Sequence, residues 1–165
     1  MDASNWIAIA AILANPVAYF WGKRDTRHTQ KVEHDRAVFT RLDAALSYHD
    51  LNGLLNNLDN SYFLVDQGIQ VDEFQRLLRE PGSIFLLAHL QRKTEAFSGA
   101  LRAMMDFAGG NCFMKDNDTE RLWLHPDPWE LERREAARHE VMALIEKTGK
   151  RYKEFRAAIK QKLAV

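Results

Sequence analysis

The chain has 165 residues, of which 46% are hydrophobic, and its 23 Lys and Arg side chains balance 23 Asp and Glu. This balance excludes the strongly basic composition of a generic nucleic-acid-binding protein. Cys112 is the only cysteine, which excludes an intrachain disulfide.

The first predicted element is a membrane anchor over residues 1–22. The run from Trp6 to Gly22 carries no charge and is followed at once by Lys23 and Arg24. A helix of this length spans roughly 25 Å, which is marginal against a hydrocarbon core of about 30 Å. The alternative is a buried helix of a soluble bundle. The anchor residues are predicted to be Trp6, Ile9, Ile12, Leu13, Pro16, Tyr19, Phe20 and Trp21.

The basic residues beside this run predict its orientation. Lys23, Arg24, Arg27 and Lys31 all follow the apolar segment, and basic residues favour the cytoplasmic side. The predicted localisation is therefore a bacterial-type inner membrane, crossed once, with the C-terminal domain in the cytoplasm.

Residues 23–57 are predicted to form a juxtamembrane helix that packs with a helical domain over 58–165 as one unit. Apolar residues recur at helical spacing along the first of these segments. They are Val32, Phe39, Leu42, Leu46 and Leu54. Residues 58–65 are apolar and ambiguous, and Gly68 then interrupts the pattern.

Two helices are predicted in the middle of the chain. The first covers 71–79, and a Pro-Gly pair at 81–82 ends it. The second is capped by Ser83, runs through Ala108 and is stopped by glycines at 109–110.

Residues 111–125 are irregular, and Leu122 to Leu124 predict either a strand or a cover for the core. Asp127 followed by Pro128 is typical of a helix start. That helix is expected to bend or break at Gly149. The fold class is thus all-α: an N-terminal transmembrane helix followed by a four- to five-helix antiparallel bundle.

The sequence offers no recognisable catalytic or cofactor motif. His34-Asp35 and His49-Asp50 repeat a dipeptide, but they match no metal-binding spacing. Cys112 is better explained as a small buried residue than as a reactive thiol. We therefore predict no catalytic residue, no metal site and no cofactor.

The C-terminal helix is the best candidate for a functional surface. Its predicted basic surface comprises Lys150, Arg151, Lys153, Arg156 and Lys160. An apolar stripe accompanies it, made of Tyr152, Phe155, Ile159 and Leu163. Such a helix either lies on an anionic surface or acidic partner, or packs its stripe into the bundle with the bases in solvent.

The functional hypothesis is a non-enzymatic, membrane-anchored protein that binds a membrane surface, a partner protein or itself at the cytoplasmic face. No nucleic acid or small-molecule substrate is expected. Two alternatives remain: an oligomerising membrane-active effector of the toxin or phage-defence type, and an enzyme with an unrecognised site.

Overall fold

A computed structural model describes residues 26–115, 117–124 and 131–164. Over these ranges the chain is mostly helical, with a small antiparallel sheet. The helices are α1 (26–45), α2 (Tyr48–Asp59), α3 (Val65–Leu78), α4 (Ala88–Asn111) and α5 (Leu131–Leu163). The strands are β1 (Tyr62–Leu64), β2 (Phe113–Lys115) and β3 (Asp118–Trp123). The predicted helical bundle is confirmed, and the three-stranded sheet is an addition to it.

The predicted continuous helix over 23–57 is wrong, because Ser47 divides it. The Ser47 hydroxyl accepts a hydrogen bond from the Asp50 backbone N–H at 3.2 Å, and the Asp50 carboxylate accepts one from the Ser47 backbone N–H at 3.0 Å. This reciprocal pair is a capping box, which satisfies the first N–H groups of α2.

The sheet forms within the two segments whose sequence pattern is ambiguous or irregular, at residues 62–64, 113–115 and 118–123. Its strand order is β1-β3-β2, and both pairings are antiparallel. The strand prediction for Leu122 to Leu124 is confirmed for its first two residues, and Leu124 is fully buried beyond the strand end. The sheet closes the end of the core next to α2 and α3.

Both central helices differ from their predicted bounds. Helix α3 begins at Val65, ahead of Gly68, because the Gln67 side chain accepts a hydrogen bond from the Leu64 backbone N–H at 3.1 Å. Helix α4 begins at Ala88, and Ser83 lies instead in a 3₁₀ turn, Pro81–Ser83. The glycines at 109–110 lie inside α4, which continues to Asn111.

The predicted helix start at Asp127 lies outside the described residues. From Leu131 onward, α5 runs without interruption through Gly149. A glycine in a helix interior costs about 1 kcal/mol relative to alanine. The neighbouring Thr148 and Tyr152 are both buried, so packing on either side of Gly149 offsets this cost.

The core is centred on the antiparallel packing of α4 against α5. The rings of Phe97 on α4 and Phe155 on α5 are stacked, with centroids 5.9 Å apart. Phe39 on α1 lies 6.2 Å from Phe155, and Phe74 on α3 lies 5.6 Å from Phe97. Aromatic side chains therefore join four of the helices.

The predicted inner-membrane localisation is contradicted by the helices of the structure. Within the described ranges, no helix is both long enough and apolar enough to cross a bilayer. The predicted anchor itself, residues 1–22, lies outside the described residues. The membrane and transmembrane parts of the prediction are accordingly unsupported.

Candidate protein-binding surface

The described residues contain no group of three or more His, Cys, Asp or Glu side chains placed to hold a metal ion. The aspartates of the two His-Asp dipeptides have structural roles. Asp35 is fully buried and accepts hydrogen bonds from the Leu86 and Leu87 backbone N–H groups, at 2.7 and 2.9 Å. Asp50 belongs to the capping box of α2.

Burial lowers the reactivity of two side chains that could otherwise take part in catalysis. Burial raises the pKa of the Cys112 thiol to about 12, so the reactive thiolate is scarce near neutral pH. Burial is also the main cause that raises the pKa of the Tyr152 hydroxyl to about 12. Neither group is suited to proton transfer or nucleophilic attack at pH 7.

The apolar stripe of the C-terminal helix belongs to the core. Each of its four residues is at least 95% buried: Tyr152, Phe155, Ile159 and Leu163. Of the two interpretations of this helix, the structure supports the one in which the stripe packs into the bundle. No apolar face of residues 150–163 is left to enter a membrane surface.

The five predicted basic residues are not equivalent. Lys150, Lys153 and Lys160 are exposed. Arg151 forms an ion pair with Glu154 at 3.0 Å, and Arg156 forms one with Asp43 of α1. Of these five, the three lysines are therefore the exposed charges outside these two ion pairs, and they continue a longer outward face of α5.

The N-terminal half of α5 carries the more unusual surface. Its inward face is buried at Ala137, Val141 and Thr148, where it packs on α4. On an adjoining face of the same helix, Met142 is 41% exposed at the centre of an open groove of about 620 Å³. The described lining is Glu135, Arg138, His139, Met142, Ala143, Ile145 and Glu146.

This groove fits a helix better than a small molecule. Small-molecule sites are concave and enclose most of their ligand. Here all described lining residues belong to one helix, so a ligand would meet a single wall formed by them. A second cavity, beside Phe39 and Arg156, measures about 200 Å³, which is below the usual range of about 300–1,000 Å³ for such sites.

This face is not evident from the sequence, because Glu135 and His139, four residues apart on a helix, match no specific catalytic or metal-binding motif. The available signal was a methionine with charged residues one turn away on each side. No protein-family model matches the chain, and comparisons with curated proteins and with solved structures find no significant similarity.

Proposed function

We propose that the protein functions by protein–protein binding and that its outward α5 face binds a second copy of the same chain. The two α5 helices pair antiparallel about a two-fold axis at Met142. The order of charges along this face is the observation that carries the proposal.

In such a pairing, residues equally far from Met142 on either side face each other. Arg138 lies one turn before Met142, and Glu146 lies one turn after it. The axis therefore places Arg138 of each copy beside Glu146 of the other. Glu135 lies seven residues before Met142, so it faces Gly149 of the other copy and lies beside the next residue, Lys150, which is exposed.

The same charges disfavour a parallel pairing. Parallel helices in register would place Arg138 beside Arg138 and Glu146 beside Glu146, and like charges in contact are unfavourable. The charge order thus selects one orientation. Met142 and the partly buried Ile145 supply the apolar centre.

The interface is expected to be modest in affinity. Exposed ion pairs contribute about 0.2–1 kcal/mol each, so the four symmetric pairs mainly set orientation and specificity. From Glu135 to Lys150 the contact extends about 22 Å along the helix at about 1.5 Å per residue.

Charge exchange across the axis tests the proposal. In the full-length chain, Arg138→Glu alone places two acids together, and Glu146→Arg alone places two bases together. We expect each variant to sediment as a monomer at concentrations where the parent is a dimer. The double variant R138E/E146R should recover the dimer, and an equimolar mixture of the two single variants should form a heterodimer.

Arg102→Glu is the matched control, since Arg102 is exposed on α4 and lies outside the proposed interface. It should sediment like the parent, and circular dichroism should give the same helicity for every variant. A parent that remains monomeric at about 100 μM, where association of about −5.5 kcal/mol or stronger is detectable, would contradict the proposal. Single variants that remain dimeric would contradict it too.

The alternative hypotheses gain less support. The membrane-active effector depends on the anchor and localisation that the structure does not support. For the enzyme hypothesis, the described side chains offer no metal-binding cluster. In the core, Asp35 accepts backbone hydrogen bonds, and burial raises the pKa of Cys112 and of Tyr152.

A further inference from the structure

The outer face of the sheet carries a row of aromatic rings. Tyr62 of β1 pairs with Trp123 of β3, and Trp123 pairs in turn with Phe113 of β2. The residues next to them in sequence point the other way: Phe63 is buried, and Leu122 packs against the core. The Tyr62 and Trp123 rings are 5.4 Å apart between centroids.

Two basic side chains lie over these rings. The Lys115 Nζ atom is 4.4 Å from the centroid of the Trp123 ring, and the Arg121 guanidinium carbon is 5.3 Å from that of Tyr62. Lys115 and Arg121 are both exposed. Asp118 contacts both a ring and a cation of this set. Trp123 Nε1 donates a hydrogen bond to Asp118 Oδ2 at 3.4 Å, and an Arg121 guanidinium nitrogen lies 3.9 Å from the same carboxylate oxygen.

We propose that this aromatic row is a binding site for single-stranded nucleic acid. Unpaired bases stack on aromatic side chains whatever their sequence, and basic side chains beside the rings bind the phosphates. Exposed cation–π contacts are weaker than base–aromatic stacking. A base can therefore displace Lys115 or Arg121 from its ring, and the released cation then lies next to the strand.

Rings and cations together favour this ligand over a peptide. Proline-rich peptides bind aromatic grooves, but they bring no anion for Lys115 and Arg121. An acidic peptide would pair with the two cations, but its acidic side chains would not stack on the row of rings. A single strand of nucleic acid uses both sets of side chains.

The balanced charge of the whole chain is compatible with a site this small. Two phosphate contacts predict a weak salt dependence, with a slope of log K against log salt of about −1.4, at about −0.7 per phosphate on a single strand. The site is independent of the pairing of α5, since its residues lie on the sheet.

Fluorescence anisotropy with the full-length chain tests this inference. The probes are labelled 12-nucleotide oligo-dT and oligo-U at low salt, and a labelled 12-base-pair duplex. We expect both single strands to bind and the duplex to bind at least 5-fold more weakly, because its bases are already stacked.

Two variants address the two halves of the site. Tyr62→Val deletes a ring but keeps a strand-forming residue, and it should weaken single-strand binding at least 5-fold. The double variant K115E/R121E should weaken it at least 10-fold. The matched control is R102E/K147E, which makes the same change in net charge at two exposed helical positions outside the sheet, and it should bind within 2-fold of the parent.

Several results would overturn the proposal. They are no single-strand binding by the folded parent, a duplex bound as tightly as a single strand, and an equal loss in R102E/K147E. Binding of a labelled proline-rich peptide without oligonucleotide binding would assign the rings to a peptide instead. Thermal melts of each variant separate loss of binding from loss of fold.

Discussion

At the scale of single residues, Asp35 is a fully buried acid that joins two helices. Helix α4 has no side-chain cap of its own at Leu87. The Asp35 carboxylate, supplied from α1, accepts the hydrogen bonds of two backbone N–H groups at that helix end. A helix N-terminus favours a negative charge nearby, and the Asp35 side chain also fastens α1 to the two residues that lead into α4.

Removing this carboxylate is expected to destabilise the protein markedly. Asp35→Ala leaves the Leu86 and Leu87 backbone N–H groups without their acceptor, and hydrogen bonds to charged groups contribute about 1.5–3 kcal/mol. We expect the free energy of unfolding to fall by about 3 kcal/mol in urea denaturation. Asp35→Asn, which keeps one acceptor oxygen, should lose less.

Asp72→Ala is the control for this measurement, because Asp72 is an exposed acid on α3. Its effect should stay within about 0.5 kcal/mol. Equal stabilities of Asp35→Ala and Asp72→Ala would show that the buried carboxylate contributes nothing to the fold.

At the scale of elements, sequence patterns located helices better than they located helix ends. The sequence predicts an interruption at Gly68 and a helix stop at 109–110, yet each of these glycines lies within a helix. The cost of one glycine is about 1 kcal/mol, which the burial of neighbouring apolar side chains exceeds. The true boundary at Ser47 had a readable signal, since Ser47-x-x-Asp50 is a variant of the capping-box pattern.

The sheet was harder to predict, for a physical reason. Strands β1 and β2 have three residues each, too few for a two-residue alternation to stand out from a helical pattern. The pairing of β1 with β3 joins Tyr62 to Trp123, about sixty positions apart, and no local sequence pattern reports such a contact. The aromatic row on the sheet consequently emerges only once Tyr62 and Trp123 are placed side by side.

The capping box of α2 predicts a pH-dependent contribution to stability. Hydrogen bonds from the Ser47 side chain and backbone lower the pKa of Asp50 below its ordinary value of 3.8. A carboxylate with a lowered pKa stabilises the fold fully above its unfolded pKa and loses that effect as the pH falls through the folded one. The stability difference between the parent and Asp50→Asn should therefore be largest at neutral pH and shrink below about pH 4.

Urea denaturation at pH 7 and pH 3 measures this difference. Asp106→Asn, at an exposed position on α4, serves as the control. Its stability difference from the parent should not shrink comparably between pH 7 and pH 3. Ser47→Ala should cost about 1 kcal/mol at pH 7, as is usual for a lost N-cap. A difference between the parent and Asp50→Asn that grows toward pH 3 would contradict this assignment.

At the scale of the whole molecule, helical periodicity was sufficient to predict the class of fold. The stripe ending at Ile159 and Leu163 is buried as the packing interpretation required, and Phe39 and Leu42 of the first helix join the same core. The functional surface was not predictable in the same way. Met142 is apolar and exposed, and sequence alone does not distinguish such a residue from a buried one on an amphipathic helix.

Self-association through α5 predicts that thermal stability depends on protein concentration. A partner that binds only the folded chain stabilises it by about 2.7 kcal/mol at a concentration about 100-fold above the Kd. At about 2–4 °C per kcal/mol for a chain of this length, the parent Tm should rise by roughly 5–10 °C between concentrations well below the Kd and that level.

Differential scanning fluorimetry across this concentration range checks the expectation. Arg138→Glu should show a flat Tm, whereas the double variant R138E/E146R should regain the parent's slope, since its charges are again complementary across the two-fold axis. The comparison isolates association from intrinsic stability, because the Arg138 side chain is exposed. A parent Tm that stays constant over the whole range, or an equal rise in Arg138→Glu, would rule out pairing about Met142.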